Sequence, residues 1–396
     1  MIAVDEAISR IVRSFTALSA EDVALTDACG RALAADVTAG FDQPPSDVSA
    51  MDGYAVRAAD AAPDSRLKVI GESPAGKPFG GDVGEMEAVR IFTGGVMPSG
   101  ADAVVIQEDV RRTDDLITIS EAPKPGENIR ARGLDFCNGE ILIPSGKRLT
   151  ARDIAVIAAA DVPVVRVTRK PRVVLFATGD ELSRPGEPRK DGGIVASSTY
   201  AIQAMIRNWG GEAIDGGILP DRIEAFESLP RLTKDANLIV TQGGASVGDH
   251  DLVQAALGRH GFVLDFWKIA MRPGKPLIFG RMGDTPLIGL PGNPVSAMVC
   301  AQLFIRPAIA KMLGCAYQAP VVSAFLTSPL PANGKRQDYV RARLDTGSGQ
   351  VVVTPFRLQD SSTQKIFAEA HALIIRAPDS LAAAAGDRVD ALLLDN

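Results

Sequence analysis

Histidine and cysteine are scarce in this 396-residue chain, with three of the first (His250, His260, His371) and four of the second (Cys29, Cys137, Cys300, Cys315). The histidines show no metal-binding spacing such as H-E-x-x-H, and the cysteines lie far apart with no C-x-x-C pair. That argues against a zinc enzyme, a histidine-based hydrolase and a disulfide framework, and fits buried thiols in a reducing compartment. Blocks of Lys and Arg are missing too, and the formal net charge is −6, so nucleic acid is not expected as a partner. No run reaches the ~18 uncharged apolar residues that a membrane helix needs, so no membrane partner is expected either. The opening residues, Met1-Ile2-Ala3-Val4-Asp5-Glu6, lack a basic start and a long apolar stretch. No signal peptide is expected, and the expected location is cytoplasmic.

What is present is an ordinary globular composition, 46% hydrophobic and 23% charged. The length allows about two to four domains, each with its own core. Apolar residues recur at helical spacing in Val4, Ala7, Ile8, Ile11, Val12 and Phe15, followed by a second short amphipathic piece up to about residue 35. Short β-type runs then alternate with Gly/Pro turns to Ile143, which predicts a small β-rich unit. Thr150 to Ala160 predicts a capped apolar helix, expected beside the N-terminal one, so that the β unit is an insertion. The next section repeats strand, loop and helix in the manner of a doubly wound sheet. Its strands are expected at Arg172–Ala177, Ala213–Ile218, Leu238–Val240 and Leu287–Leu290, with helices at Ser197–Trp209 and Asp251–Leu257. From about Val321 short strands return. The expected fold class is therefore multidomain α/β plus β. Residues 1–38 and 130–168 form an elongated, helical N-terminal domain, 39–129 an inserted β domain, 169–318 a doubly wound α/β domain and 319–396 a small C-terminal β domain.

Pro291-Gly292-Asn293-Pro294 joins the apolar run 286–290 to a segment of helical period from Val295 to Leu313. A glycine-bearing strand-to-helix turn aims the unpaired N–H groups of the new helix at one point, which favours an anion. Asn293 can cap that helix, and Pro294 suits its first position. Comparable junctions follow the two other strands, Thr178-Gly179-Asp180-Glu181 and Gly243-Gly244-Ala245-Ser246-Val247-Gly248. Loops at the carboxyl ends of parallel strands share one edge, where ligands bind. Their glycines let backbone donors approach phosphate oxygens. Asp180, Glu181, Asp249 and Asp251 would lie beside these loops, and carboxylates next to phosphates call for a hard cation such as Mg²⁺. Helix capping is the other reading of Asp249 and Asp251. Lys268, Arg272 and Lys275 put three cations into an apolar, proline-stiffened segment, with alternation placing Lys268 and Arg272 on one side. Fixed cations suit a dianion such as phosphate or an oxometallate. In the first 150 residues, Asp52-Gly53-Tyr54, Thr93-Gly94-Gly95 and the turn around Arg130, Arg132 and Asp135 are chemically equipped turns without an assigned role.

Taken in order, Ser49–Val56, Thr93-Gly94, Gly126–Arg130, Thr178–Leu182, Gly243–Asp251, Arg272–Pro276 and Gly289–Ser296 resemble the molybdopterin molybdenumtransferase (MoeA) family, the molybdenum insertases. The likeness spans nearly the whole chain. It implies a molybdopterin-binding, adenylyltransferase-like α/β domain, a C-terminal β-barrel domain and a homodimer whose cleft is completed by the partner subunit. It also implies a transferase that inserts molybdate into adenylylated molybdopterin with Mg²⁺-dependent release of AMP, and a molybdopterin adenylyltransferase as substrate donor. The family's catalytic positions fall on Asp52, Thr93, Asp135, Glu181, Asp221, Asp251, Lys268, Arg272, Pro291 and Pro294. Binding positions are Thr178, Gly179, Asp180, Gly243, Gly244, Ser246, Gly248, Lys275, Gly292, Asn293 and Ser296, with Arg341 and Ser361 from the C-terminal domain. Metal positions are Glu181, Asp221, Asp249 and Asp251. Arg272 stands where many members have lysine, and the match is poor around Asp360–Lys365. Two alternatives are carried: an adenylyltransferase, which would make the AMP adduct, and a non-catalytic pterin-binding or scaffold protein on the same fold.

Overall fold

A computed structural model describes residues 1–222, 232–243, 261–347 and 349–394. The centre is a six-stranded sheet in the spatial order Glu212–Leu219, Arg172–Thr178, Leu238–Gln242, Thr285–Leu290, Ile278–Met282, Phe262–Trp267. The first four strands run parallel; Ile278–Met282 runs antiparallel to both its neighbours, in a hairpin with Thr285–Leu290, so the edge strand Phe262–Trp267 points the same way as the first four. Val173–Ala177 and Leu238–Val240 are buried throughout, as parallel strands covered on both faces must be. The order reverses between the 172–178 and 238–242 strands, so a crevice opens at their carboxyl ends.

The helix Pro294–Met312 crosses the core. It is apolar and long enough by composition to span a membrane, but 78% of its most apolar window is buried inside the fold. Its middle, Ala301–Ile305, is a π-turn that ends just before Pro307. Proline has no N–H for the ordinary ladder, and the wider turn absorbs that break.

Helix Val4–Arg13 forms as its periodicity predicts, but its neighbour differs from expectation. Val4, Ala7 and Ile11 pack into the cluster that holds Phe304, Ile309 and Met312 of the core helix. Helix Ala151–Ala159, closed by a Thr150–Asp153 capping box, buries Ile157 in a separate cluster with Leu33, Val37 and Val165. The second amphipathic piece contains a strand, Ala20–Ala24, that pairs antiparallel with Val164–Thr168. Its Ala-Glu-Asp-Val-Ala pattern is short enough for pairing to override helical propensity.

Two further six-stranded sheets lie outside the α/β region. Strands between Gly53 and Ile119 form a six-stranded sheet in the inserted region. The return strand Ile129–Arg130 pairs with Val48–Ser49, so both chain crossings into that region lie side by side. Near the C-terminus, Gln337–Asp345, Val352–Pro355, Val321–Leu326, Arg388–Leu393 and Ala372–Arg376 close into a five-stranded barrel, because the first also pairs with the last. Met271–Arg272 adds to that barrel as a short parallel strand on Gln337-Asp338.

Candidate functional site

Strand register alone brings most of the expected site to one edge. Thr178 pairs with Leu219, Ala177 with Gln242, and Gln242 with Leu290. On the hairpin side Gly289 pairs with Ile278, and Ile278 with Trp267. The exits toward Asp221, Gly179, Gly243, Pro291, Lys275 and Lys268 are thus neighbours along the carboxyl edge, each strand about 4.8 Å from the next. Gly243 has φ +98°, and a Cβ there would lie 2.5 Å from the Thr178 carbonyl oxygen and 2.7 Å from its hydroxyl. No other residue fits without moving backbone. The Gly243 N–H donates to the Leu290 carbonyl at 3.2 Å, and the Thr178 hydroxyl donates to the Gln242 carbonyl at 3.3 Å. Gln242 itself, unnoticed in the sequence, is buried and donates to the Ser198 hydroxyl at 2.5 Å. Its Oε1 has no partner among the described residues.

The acids sit at the far side of this edge. Glu181 is exposed and folds back over Gly179, where a Cβ would fall 2.6 and 2.8 Å from its carboxylate oxygens. The Gly179 N–H donates to the Leu219 carbonyl at 3.2 Å, which ties the Glu181 loop to the exit that carries Asp221. Asp180 is exposed, and its carbonyl accepts from the Lys190 ammonium. Gly244, Ser246, Gly248, Asp249 and Asp251 lie outside the described residues, as does the expected 251–257 helix. Among the described residues no three His, Cys, Asp or Glu side chains cluster as a ready metal cage.

At the Pro291–Pro294 turn, Pro294 takes the first helical position as expected, but Asn293 does not cap with its side chain. Its Nδ2 instead donates to the Ser361 hydroxyl at 2.9 Å, and the Val295 N–H donates to the Ser361 carbonyl at 3.0 Å. The barrel therefore takes up a donor that the sequence reading reserved for an anion. Gly292 stays exposed and Ser296 is buried. Arg341 shapes this contact from below: it is 2% exposed and donates to the Asp360 carbonyl at 2.9 Å and the Thr363 hydroxyl at 2.8 Å. It fixes the loop that presents Ser361. Burial lowers the pKa of its guanidinium from the ordinary value.

The cationic segment is not one extended strand with Lys268 and Arg272 on a common side. Lys268 adopts φ +71°, a left-handed conformation uncommon outside glycine, and its ammonium sits 3.4 Å from the centroid of the Trp267 ring. Arg272 reaches across to Asp338 of the barrel, a largely buried carboxylate. A cleft of about 380 Å³ between the α/β domain and the barrel is lined by Arg272, Lys275, Lys335, Arg336 and Asp338. Lys335, Arg336 and Asp338 were missed by sequence reading. Two adjacent cations after Gly334 were the available signal, but nothing local says that they face Arg272.

Asp52 and Thr93 meet in the inserted sheet. The Thr93 amide and hydroxyl donate to one Asp52 carboxylate oxygen at 2.7 and 2.8 Å. The amide foremost, then the hydroxyl, with Arg90 nearby, hold that carboxyl below the usual range against a slight desolvation. Gly53 is required there, since its Cβ would lie 2.0 Å from the Val105 carbonyl oxygen. Asp135 is exposed, with its N–H donating to the Gln43 carbonyl at 2.9 Å. These partners of Asp52, Thr93 and Asp135 all come from the first 135 residues, and none belongs to the strand-exit edge.

Comparison with known proteins agrees across the whole length. Residues 2–160 match the MoeA N-terminal region (domain I and II), 174–311 a probable molybdopterin binding domain, and 323–394 the MoeA C-terminal region (domain IV). The molybdopterin molybdenumtransferase of Haemophilus influenzae is 35% identical over 98% of both chains. That of Bacillus subtilis is 33% identical over 99% of this chain and 94% of its own. The crystal structure of a Pyrococcus horikoshii molybdopterin biosynthesis moeA protein superposes with a TM-score of 0.86 at 29% identity, covering both chains fully. Carrying all three regions in order, the chain belongs to the MoeA family of molybdopterin molybdenumtransferases.

Proposed function

We propose that this protein inserts molybdenum into molybdopterin, taking molybdate and adenylylated molybdopterin as substrates and releasing AMP with the help of Mg²⁺. The observation that carries the reading is the single carboxyl edge. Glycine-lined strand exits, acids at one end and a cationic cleft at the other follow one another along it. Relatives that match end to end bear the corresponding name.

The residues divide the work by their chemistry. Backbone around Gly243, Gly292 and Gly179 can approach phosphate oxygens closely because no side chain intervenes. Thr178, Asn293, Pro291 and Pro294 fix the shape of those exits. Exposed oxygens of Glu181 and Asp221 on adjacent exits fit a hard cation that keeps water ligands, with Asp249 and Asp251 as further candidates. When bound, Mg²⁺ would supply neutralisation of phosphate charge as the anhydride opens. Arg272, Lys275, Lys335 and Arg336 hold the molybdate dianion through charge-assisted hydrogen bonds, with Lys268 and Ser296 nearby on the same edge. Arg341 acts through Ser361, by holding its loop.

Asp52, Thr93 and Asp135 bond to residues of their own region instead. In the proposed homodimer they close the cleft of the partner subunit. The proposal also includes a cytoplasmic location and a separate adenylyltransferase that delivers the substrate. The deciding experiment incubates the full-length protein with adenylylated molybdopterin, molybdate and Mg²⁺. AMP release coupled to formation of molybdenum cofactor is expected, and both should stop on chelation. Absence of both products with intact substrate would overturn the reading.

A further inference from the structure

Two cations of the carboxyl edge are held by opposite means. Arg272 pairs with Asp338, and the carboxylate offsets its charge. Lys268 follows the edge strand Phe262–Trp267, and among the described residues its ammonium meets the Trp267 ring and no carboxylate. Neighbouring side chains of an extended strand leave opposite faces, so residues 267 and 268 could not stack there. The left-handed backbone of Lys268, φ +71°, swings the side chain back until the ammonium lies 3.4 Å from the ring centroid. Both backbone groups of Lys268 are clamped. Its N–H donates to the Leu277 carbonyl at 3.2 Å, and its carbonyl accepts from the Ile2 N–H at 3.3 Å. The ring is held as well, half-buried against the cluster of Val174, Phe176, Leu219, Ile239 and Ile278.

We propose that Trp267 is a positioning residue: its ring holds the Lys268 ammonium on the carboxyl edge, still charged, as a contact for the oxyanion substrate. The proposal rests on the insertion reading and deepens it. A lysine ammonium is a strongly hydrated point charge on a flexible stem, and ordering it costs entropy. A carboxylate partner would order it but cancel the charge that an anion needs. The face of an indole attracts a cation through its quadrupole, more strongly than a phenyl ring does, and carries no net charge. An ammonium has three N–H donors, so those turned away from the ring remain for molybdate oxygens. Strained backbone conformations persist where surrounding bonds over-determine them, and they cluster at ligand sites. The two backbone bonds of Lys268 and its stacked ammonium are such a set.

The test adds molybdate to the full-length protein and reads binding by calorimetry and by tryptophan fluorescence. The chain has two tryptophans, and Trp209 lies in a different cluster, so substitution separates their signals. Molybdate is expected to change wild-type emission, and Trp267→Phe and Lys268→Met should each abolish that change. Trp267→Leu should weaken molybdate affinity about tenfold. Its apparent KM for molybdate should rise to match while kcat stays within about threefold. Trp267→Phe keeps an aromatic face and should bind molybdate within about threefold of wild type. In the Lys268→Met background Trp267→Leu should cost no further affinity, because the ring then has no cation to hold. A merely structural role would give the same loss in both backgrounds, and that result overturns the proposal. Unchanged affinity in Trp267→Leu, in a protein that still inserts molybdenum, overturns it and leaves the insertion reading intact. Should Trp267→Leu fail to fold, the emission decides: a silent wild type, or a change that survives in Lys268→Met, overturns the proposal. Molybdate binding that depends on Trp267 in a protein that inserts nothing overturns the insertion reading alone. A wild type that neither binds nor inserts molybdate overturns both.

Discussion

At the Asp52 corner, the carboxylate, the amide and hydroxyl that bind it, and the glycine beside it all come from one sheet and its turns. At the strand-exit edge, by contrast, the neighbours come from four or more separated stretches, and the barrel inserts Ser361 and Asp338 among them. The first can form as soon as residues 48–130 fold. The second exists only when the α/β domain, the cationic segment and the barrel are assembled. The difference teaches where the chemistry is vulnerable: changes at the corner should stay local, while changes at the edge should spread to domain docking.

The largest expected effect is on turnover. Glu181→Ala and Asp221→Ala should each lower AMP release by about 10²–10⁴-fold, the usual scale for positioned proton-transfer and charge-stabilising groups. Binding of the pterin should persist, because both side chains stand exposed on loops beyond the strand ends and contribute little to the core. If initial rates with saturating substrate stay within threefold of wild type, these acids do not act in the step.

Next come two glycines that separate the regions. Gly53→Ala forces a backbone shift in the inserted sheet, since the added Cβ meets a carbonyl oxygen at 2.0 Å. Gly243→Ala meets one at 2.5 Å and carries the strain of φ +98°. Each should destabilise its own domain by about 1–3 kcal/mol, as overpacking does. Urea unfolding followed in both variants should show the loss in different transitions. A single common transition lowered equally by both would mean that corner and edge are not independent.

How much of this was legible in the chain depends on the range over which a signal acts. Val173–Ala177, the Thr150–Asp153 cap and Pro294 at a helix start are decided by residues within a turn or a strand, and sequence located each of them. The Thr178, Gly243 and Pro291 exits were grouped correctly because parallel strands share an edge by geometry. What failed involved partners distant in sequence. Asn293 looked like a cap because its competitor, Ser361, comes 68 residues later. Ala20–Ala24 looked helical because its strand partner lies beyond residue 160. Arg336 carried only the mark of two adjacent cations and Asp338 none; the two-residue strand at Met271–Arg272 brings them to the cleft.

That same short strand gives a sharper test of the edge. Arg272→Lys keeps the charge but loses the planar fork directed at Asp338. An apparent molybdate affinity about tenfold weaker is expected, equivalent to ~1.4 kcal/mol. Asp338→Asn should do the same while leaving every cation in place, because the guanidinium loses its anchor. Equal molybdate saturation curves for all three proteins would show that the pair does not position the cleft.

The smallest effect belongs to the corner, and its sign follows from the hydrogen bonds. The Asp52 carboxyl is held below its ordinary value chiefly by the Thr93 amide and then by the Thr93 hydroxyl. A depressed carboxylate favours the folded state above its unfolded value, and that contribution fades as pH falls through the folded one. Thr93→Val removes the hydroxyl and leaves the amide, so the Asp52 midpoint should move up only part of the way. Because the group is fully exposed, the melting temperature should barely change. The acid limb of the pH–rate profile should move upward with the midpoint if Asp52 acts as an anion in turnover. A carbon-13 titration of the Asp52 carboxyl separates the outcomes. A raised midpoint with an unmoved acid limb would make the Asp52–Thr93 pair a structural clasp of the inserted sheet, and an unmoved midpoint would deny the hydroxyl any role in holding the charge.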